Sequence, residues 1–428
     1  MLRSPRLFYG WVIVGIAVVS TVLIYGIRHA FAVFFPPVLD EFGLARGSTA
    51  MMLSLNILIY GFLAPVAGSL GDRWKPRRVM PIGIIILGLA TTGCAFANQL
   101  WHFYLLFGVL VPMGSALGGR PLLVPALANW FAKRRGLVIG LGHIGGGLSF
   151  AYVMFAELAI SQLGWRYAFF VLAGILVAVL LPLYLLFFHY RPENRGLRPY
   201  GAAELSPVEG SRPGTGVVTD RPSRDWTLGQ AVGTYQLWLM VLSFSLYWGV
   251  GAYLVLGHQV KFTLDAGYSS MFSASVFGLF GIFVAVGQAS AFISDRIGRE
   301  KTITVATILS VGALVSLLSV RDTSHPVLLY LYATCFGYGT GLYSPTLVAG
   351  MADIFHGRHF GAIAGLLLTG MGVAGAIGPW LGGYIYDVSG SYNTAFFLCM
   401  ASFGIACIAV WIAAPRNAAR LRAGFETT

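Results

Sequence analysis

Gly68-Ser69-Leu70-Gly71-Asp72-Arg73-Trp74-Lys75-Pro76-Arg77-Arg78 is a charged turn between two long apolar runs. A related turn, Ser294-Asp295-Arg296-Ile297-Gly298-Arg299-Glu300-Lys301, stands in the second half of the chain. Another pair keeps the same offset to within one residue: Trp130-Phe131-Ala132-Lys133-Arg134-Arg135-Gly136 against Ile354-Phe355-His356-Gly357-Arg358. Two separate pairs at one spacing imply a chain built from two similar halves. In a strongly apolar chain, such duplication is a mark of secondary transporters.

The chain has 428 residues, 57% hydrophobic and 10% charged, with a mean hydropathy of +0.75. Soluble domains carry roughly 25% charged residues, so the bilayer is the expected solvent. Apolar runs long enough to span, roughly 20 residues each, lie at about 9–35, 49–70, 79–98, 101–128, 137–161 and 166–188. Beyond a polar stretch they recur at about 235–257, 270–293, 302–320, 326–352, 360–384 and 393–414. That makes twelve, six on each side. The net charge of +12 reflects placement rather than a nucleic-acid surface. Most Lys and Arg fall in alternate connections, with only Arg46, Arg166, Lys261 and Arg321 in the others. By the positive-inside rule both termini are cytoplasmic, in a multi-pass protein of the inner cell membrane. The first run is too long for a signal peptide and is expected to remain as a helix.

Residues 1–188 thus read as one six-helix bundle and 235–414 as a second. Between them, 189–234 is a Pro- and Gly-bearing cytoplasmic linker with an interfacial helix starting near Trp226, and 415–428 is a cytoplasmic tail. The four cysteines, Cys94, Cys335, Cys399 and Cys407, have no metal-ligand spacing and suit apolar packing. No cofactor or metal is expected. Glycine-rich runs such as 114–119 and 140–147 lack a preceding strand, so they suit close helix packing rather than a dinucleotide site. No nucleophile has an evident base, and no phosphate-binding loop is present. An enzyme and a nucleotide-driven pump are therefore disfavoured.

With Gly68, Asp72, Arg73, Arg77 and Arg78 after span two, and Asp295, Arg296, Gly298, Arg299 and Lys301 after span eight, the chain resembles the major facilitator superfamily. Ala291 stands where the second copy would carry its glycine. The resemblance implies an all-α membrane protein of twelve transmembrane helices in two six-helix bundles related by a pseudo-two-fold axis. A narrower resemblance is to monocarboxylate transporters and their oxalate:formate antiporter relatives. It rests on Tyr9-Gly10-Trp11-Val12, on Trp130, Phe131, Lys133, Arg134, Arg135, Leu137, Gly140 and Gly145, and on His258-Gln259-Val260 followed by Asp265-Ala266-Gly267. The chain departs from these families where they carry charge in the second half. Phe277 to Ser290 holds none, Gln288 stands near the expected arginine, and Gly361 to Tyr384 has no Lys or Arg.

Ionisable groups inside spans are costly and invite functional readings. Arg28 and His29 lie in span one. Arg120 lies in span four, about ten residues and roughly 15 Å before Trp130. A guanidinium matches a carboxylate as a two-pronged donor, so Arg28 and Arg120 are candidate anchors, with snorkelling or helix capping as the structural alternatives. Tyr247, Tyr253, Gln288 and Tyr338 are candidate lining groups from the second half. His29 is a further candidate substrate contact, and His29, His143, Glu157 and His258 are candidates for a coupling proton, against plain interhelical hydrogen bonding. Gly68, Asp72, Arg73, Arg77, Arg78, Asp295, Arg296 and Arg299 are expected to latch the two bundles.

The expected function is rocker-switch transport of small organic anions, monocarboxylates foremost. Proton symport and anion exchange both stay open. The alternative is an exporter of drugs or other metabolites. The expected partners are a small carboxylate, protons or a counter-anion, and the lipid bilayer. Nucleic acid is not expected, and a monomer is.

Overall fold

Lipid offers no hydrogen bonds, so every spanning backbone group must be paired within its own segment. Helices are the result throughout. The computed structural model describes residues 8–74, 76–131, 135–201, 226–355 and 360–417. The first six long helices are α1 (Gly10–Phe42), α2 (Arg46–Arg73), α3 (Pro76–Cys94), α4 (Leu100–Trp130), α5 (Arg135–Leu163) and α6 (Trp165–Phe187). The second six are α7 (Tyr235–Asp265), α8 (Ser270–Ala289), α9 (Arg299–Leu318), α10 (Pro326–Ile354), α11 (Phe360–Ser389) and α12 (Asn393–Ala413). Eleven of these are long and apolar enough to cross a bilayer by composition alone. The remaining one, α10, has the length at 29 residues, but its Tyr, Gly and Thr content dilutes its hydropathy.

The duplication read from the loops reappears in the packing. In the first half α1 packs on α5, α2 on α4, and α3 on both α4 and α6. Six helices further on, α7 packs on α11, α8 on α10, and α9 on both α10 and α12. The contacts between halves obey the same rule, since α2 meets α11 and α5 meets α8. Small residues permit these crossings. A Cβ on Gly61 of α2 would lie 3.0 Å from the Cα of Gly372 on α11. Outward-facing positions are aliphatic or aromatic, among them Leu89, Ile308, Val327 and Ile408, as a lipid-facing surface requires.

The packing between halves loosens along the molecule. The α2–α11 and α5–α8 crossings use Gly47, Gly61, Gly147 and Gly281, whereas added Cβ atoms at Gly68, Gly140, Gly361 and Gly365 would meet nothing among the described residues. The glycine contacts between halves thus lie away from the Asp72 and Asp295 turns. Two features bracket the linker. Tyr200 donates its N–H to the Trp130 carbonyl (2.9 Å), and the Trp130 indole donates to the His189 carbonyl (2.7 Å). The Trp130-Phe131 signature thus anchors the start of the linker. A short helix, Leu228–Val232, with a Thr227–Gln230 capping box stands where the interfacial helix was expected.

Candidate functional site

Three helices, two from the first half and one from the second, deviate from regular geometry around one point. α1 divides at Ala30, between Gly10–His29 and Phe31–Phe42. α4 passes through a π-helical stretch, Tyr104–Leu110, and breaks at Gly119, restarting at Arg120 with Pro121 in its first turn. In the second half, α7 carries a π-helical stretch over Ser245–Ala252 that ends at Tyr253. Such irregularities release backbone groups and re-aim side chains, and they concentrate at functional sites.

Arg28, only 3% exposed, sits at this point. Its Nε donates to Asn56 Oδ1 (2.8 Å), and the Asn56 amide donates to the Phe107 carbonyl of α4 (2.7 Å). The guanidinium lies 4.4 Å from the Tyr60 ring and 5.2 Å from the Tyr25 ring. The Tyr25 and Tyr60 hydroxyls bond each other (2.6 Å). Arg120, half-buried, places its guanidinium 4.5 Å from the same Tyr25 ring. Tyr253 reaches across from α7 into the field of both arginines. Arg28 Nη2 and Arg120 Nε are buried without hydrogen-bond partners. Among the described residues neither guanidinium pairs with a carboxylate. Arg28 also borders a cavity of about 10 Å³ shared with His29, Tyr253 and Phe277, room for about one water.

His29 stacks on Phe150 at 3.6 Å, with Nδ1 2.9 Å from Ser149 Oγ. The Ser149 hydroxyl already donates to the Gly146 carbonyl (2.6 Å). His29 Nδ1 must therefore be the donor to Ser149, and Nε2 is left as the accepting nitrogen. Phe150 in turn packs edge-on against Phe280 of α8, so the imidazole touches the seam between halves.

The other expected residues scatter. Tyr247 is fully buried inside the second half, stacked on Tyr343 at 3.6 Å and bonded to Ser310. The structure does not bring it to the arginines. Gln288 and Tyr338 are half-buried. The Gln288 Oε1 has no partner, and Tyr338 accepts from Ser290 (3.0 Å). Glu157, 4% exposed, lies beside Ser270 at the far end of the α5–α8 contact. His143 is on α5, but its side chain lies outside the described residues, as do those of Asp72 and Arg73.

Around the second turn, Arg299 bonds Asp295 (2.6 Å) and Asp353 of α10 (2.9 Å), all within one half. Arg296 lies 6.0 Å from the Phe292 ring. Arg77 donates to the Leu185 carbonyl of α6 (2.9 Å). Arg78 is exposed, and a Cβ added at Gly68 would meet nothing within 4 Å among the described residues.

A second polar cluster lies at the far end, and only its Asp265 and His258 belong to a motif read from the sequence. Asp387 at the end of α11 accepts the first backbone N–H groups of α2, from Arg46 (3.0 Å) and Gly47 (2.8 Å). Arg46 Nη1 bonds Asp265 of α7 (2.6 Å) and the Tyr392 hydroxyl (2.9 Å), and its guanidinium covers the Tyr386 ring at 3.5 Å. Beneath it, His258 has no free nitrogen. Nε2 donates to the Pro379 carbonyl (2.7 Å), so Nδ1 accepts from Tyr392 (3.1 Å).

A sequence profile described as the Major Facilitator Superfamily matches residues 17–347 and 289–427. Over 410 residues the chain is 26% identical to a protein named monocarboxylate transporter 13 from Bos taurus, covering 95% of this chain and 89% of that one. It is 27% identical to monocarboxylate transporter 11 from Homo sapiens, covering 95% and 83%. Its fold matches the crystal structure of a bacterial homolog to human lysosomal transporter Spinster, in an inward-facing and unoccupied conformation. The TM-score there is 0.68 with 15% identity, over 99% of both chains.

Proposed function

The chain belongs to the Major Facilitator Superfamily, a membrane transporter rather than an enzyme, and from that premise we propose that it carries small organic anions, carboxylates foremost. The observation that carries this reading is the pair of guanidiniums beside the one Tyr25 ring with no carboxylate partner among the described residues. A buried, unpaired cation is expensive. On insertion scales an arginine at mid-span costs about 2.5–3.5 kcal/mol. A carboxylate offering two acceptor oxygens offsets that cost in the geometry a guanidinium prefers. Relatives named for monocarboxylates agree in substrate class. Cationic drugs would be repelled by the same two charges, which weighs against that branch of the exporter alternative.

Coupling follows from the same geometry. A proton arriving at His29 Nε2 adds a third positive charge beside Arg28 and Arg120, so it is favoured when an anion is already present. Proton and carboxylate then travel together, and symport is the form of coupling this site suits. Alternating access would proceed by rocking residues 1–188 against 235–414 through the linker 189–234, with both termini in the cytoplasm. The end carrying the Asp72 and Asp295 turns would then face inward, and a single chain would suffice.

The test is uptake of labelled acetate, pyruvate and lactate by proteoliposomes, with and without a proton gradient. Arg28→Gln and Arg120→Gln should each lower uptake about tenfold or more, the range for losing a charge-assisted hydrogen bond. Undiminished uptake in both variants would remove the anion site from these residues. Uptake that ignores the gradient but responds to preloaded anion would replace symport with exchange.

A further inference from the structure

We propose that Asn56 is a positioning residue for this site, a neutral amide that orients Arg28 without neutralising it. The inference rests on the carboxylate reading above. Asn56 is fully buried in an otherwise apolar stretch of α2, Leu55 to Tyr60. Both sides of its amide are committed. Its oxygen takes the Arg28 Nε–H, and its nitrogen donates to the Phe107 carbonyl within the π-helical stretch of α4.

Three consequences follow from that arrangement. The Nε edge of the guanidinium is pinned by Asn56, and its face is covered by the Tyr60 ring. Nη2 is left unpartnered beside Tyr253 of α7, which also bonds the guanidinium, and the Nη edge is the one suited to two parallel bonds with a carboxylate. An aspartate at the same place would hold the guanidinium equally well but would cancel its charge, and substrate would then compete with a built-in anion. The link also ties α1 to α4, which carries the second guanidinium at Arg120.

Two substitutions separate positioning from packing, measured as KM and Vmax of labelled acetate, pyruvate and lactate uptake into proteoliposomes, with melting temperature recorded alongside. Asn56→Asp should raise KM roughly tenfold to a hundredfold, the span expected when a built-in anion competes for a charge-assisted hydrogen bond. Asn56→Ala, which frees both Nε and the Phe107 carbonyl without adding a charge, should raise KM a few-fold, with Vmax less affected in both. A purely structural role predicts the opposite pattern, in which the defect follows melting temperature and Asp is no worse than Ala. That pattern, or a wild-type KM in Asn56→Asp, overturns the proposal. Should Asn56→Asp fail to fold, Asn56→Ala decides alone, and an unchanged KM there overturns it. Absence of uptake of all three probes by the wild-type protein overturns the carboxylate reading itself, and this inference with it. Wild-type uptake with insensitive Asn56 variants overturns only the inference.

Discussion

An imidazole relays a proton only if one of its nitrogens can change partner, and the two described histidines in the seam differ on that point. His258 spends Nε2 on the Pro379 carbonyl and Nδ1 on Tyr392. His29 spends only Nδ1, on Ser149. His29→Gln is therefore expected to abolish stimulation of uptake by an imposed proton gradient, while His258→Gln keeps it. Proteoliposome uptake at equal and unequal pH checks this, and full stimulation in His29→Gln would move coupling elsewhere. Both rings are visible in the sequence as equal candidates, because a sequence displays the ring but not the bonds that commit it. Arg28 and Arg120 are legible because intramembrane arginines are rare. Asn56, Tyr25 and Tyr60 do not stand out there, since one neutral amide and scattered phenols are ordinary in a span. Their role exists only through cross-helix contacts.

At the scale of elements, the site depends on helices that depart from regularity. α4 is the clearest case, since Arg120 sits at the first position after the break at Gly119. A Cβ at Gly119 would lie 2.5 Å from the Ser115 carbonyl oxygen, closer than real contacts allow. The backbone must shift to admit any side chain there, and the next residue moves with it. Gly119→Ala should thus displace Arg120 and lower carboxylate uptake severalfold or more, with a stability loss of about 1–3 kcal/mol, the usual cost of overpacking. Uptake at the wild-type level, with Ala in place and the melting temperature unchanged, would mean that the break is incidental. The twelve runs themselves are legible because hydropathy and length are local properties. The π-helical stretches in α4 and α7 are not, because no residue type calls for them and packing against neighbouring helices selects them.

For the whole molecule, the gates differ in kind. At the end bearing the repeated turns, the described ion pairs of Arg299 stay within one half. At the far end, Asp387 and Arg46 bind across halves. The carboxylate meets the exposed N–H groups and positive dipole end of α2, while the guanidinium meets Asp265 and Tyr392. The repeated turns can be read from the sequence because duplication leaves a pattern. Arg46 and Asp387 read there as ordinary charges and Asp265 only as part of a motif, because their pairing depends on contact between halves, which has no periodic trace. If this cluster holds the far end shut, removing it should shift the population toward the state open on that side. Ser54 reports the shift, being 1% exposed and bonded to the Trp380 N–H at the α2–α11 crossing beneath the clamp. With the four native cysteines replaced, Ser54→Cys should react slowly with a membrane-impermeant maleimide added from the far-end side. Adding Asp387→Ala or Arg46→Ala should speed labelling by about tenfold, the equivalent of one charge-assisted hydrogen bond. Equal labelling rates with and without the clamp would show that the glycine crossings alone keep that end closed.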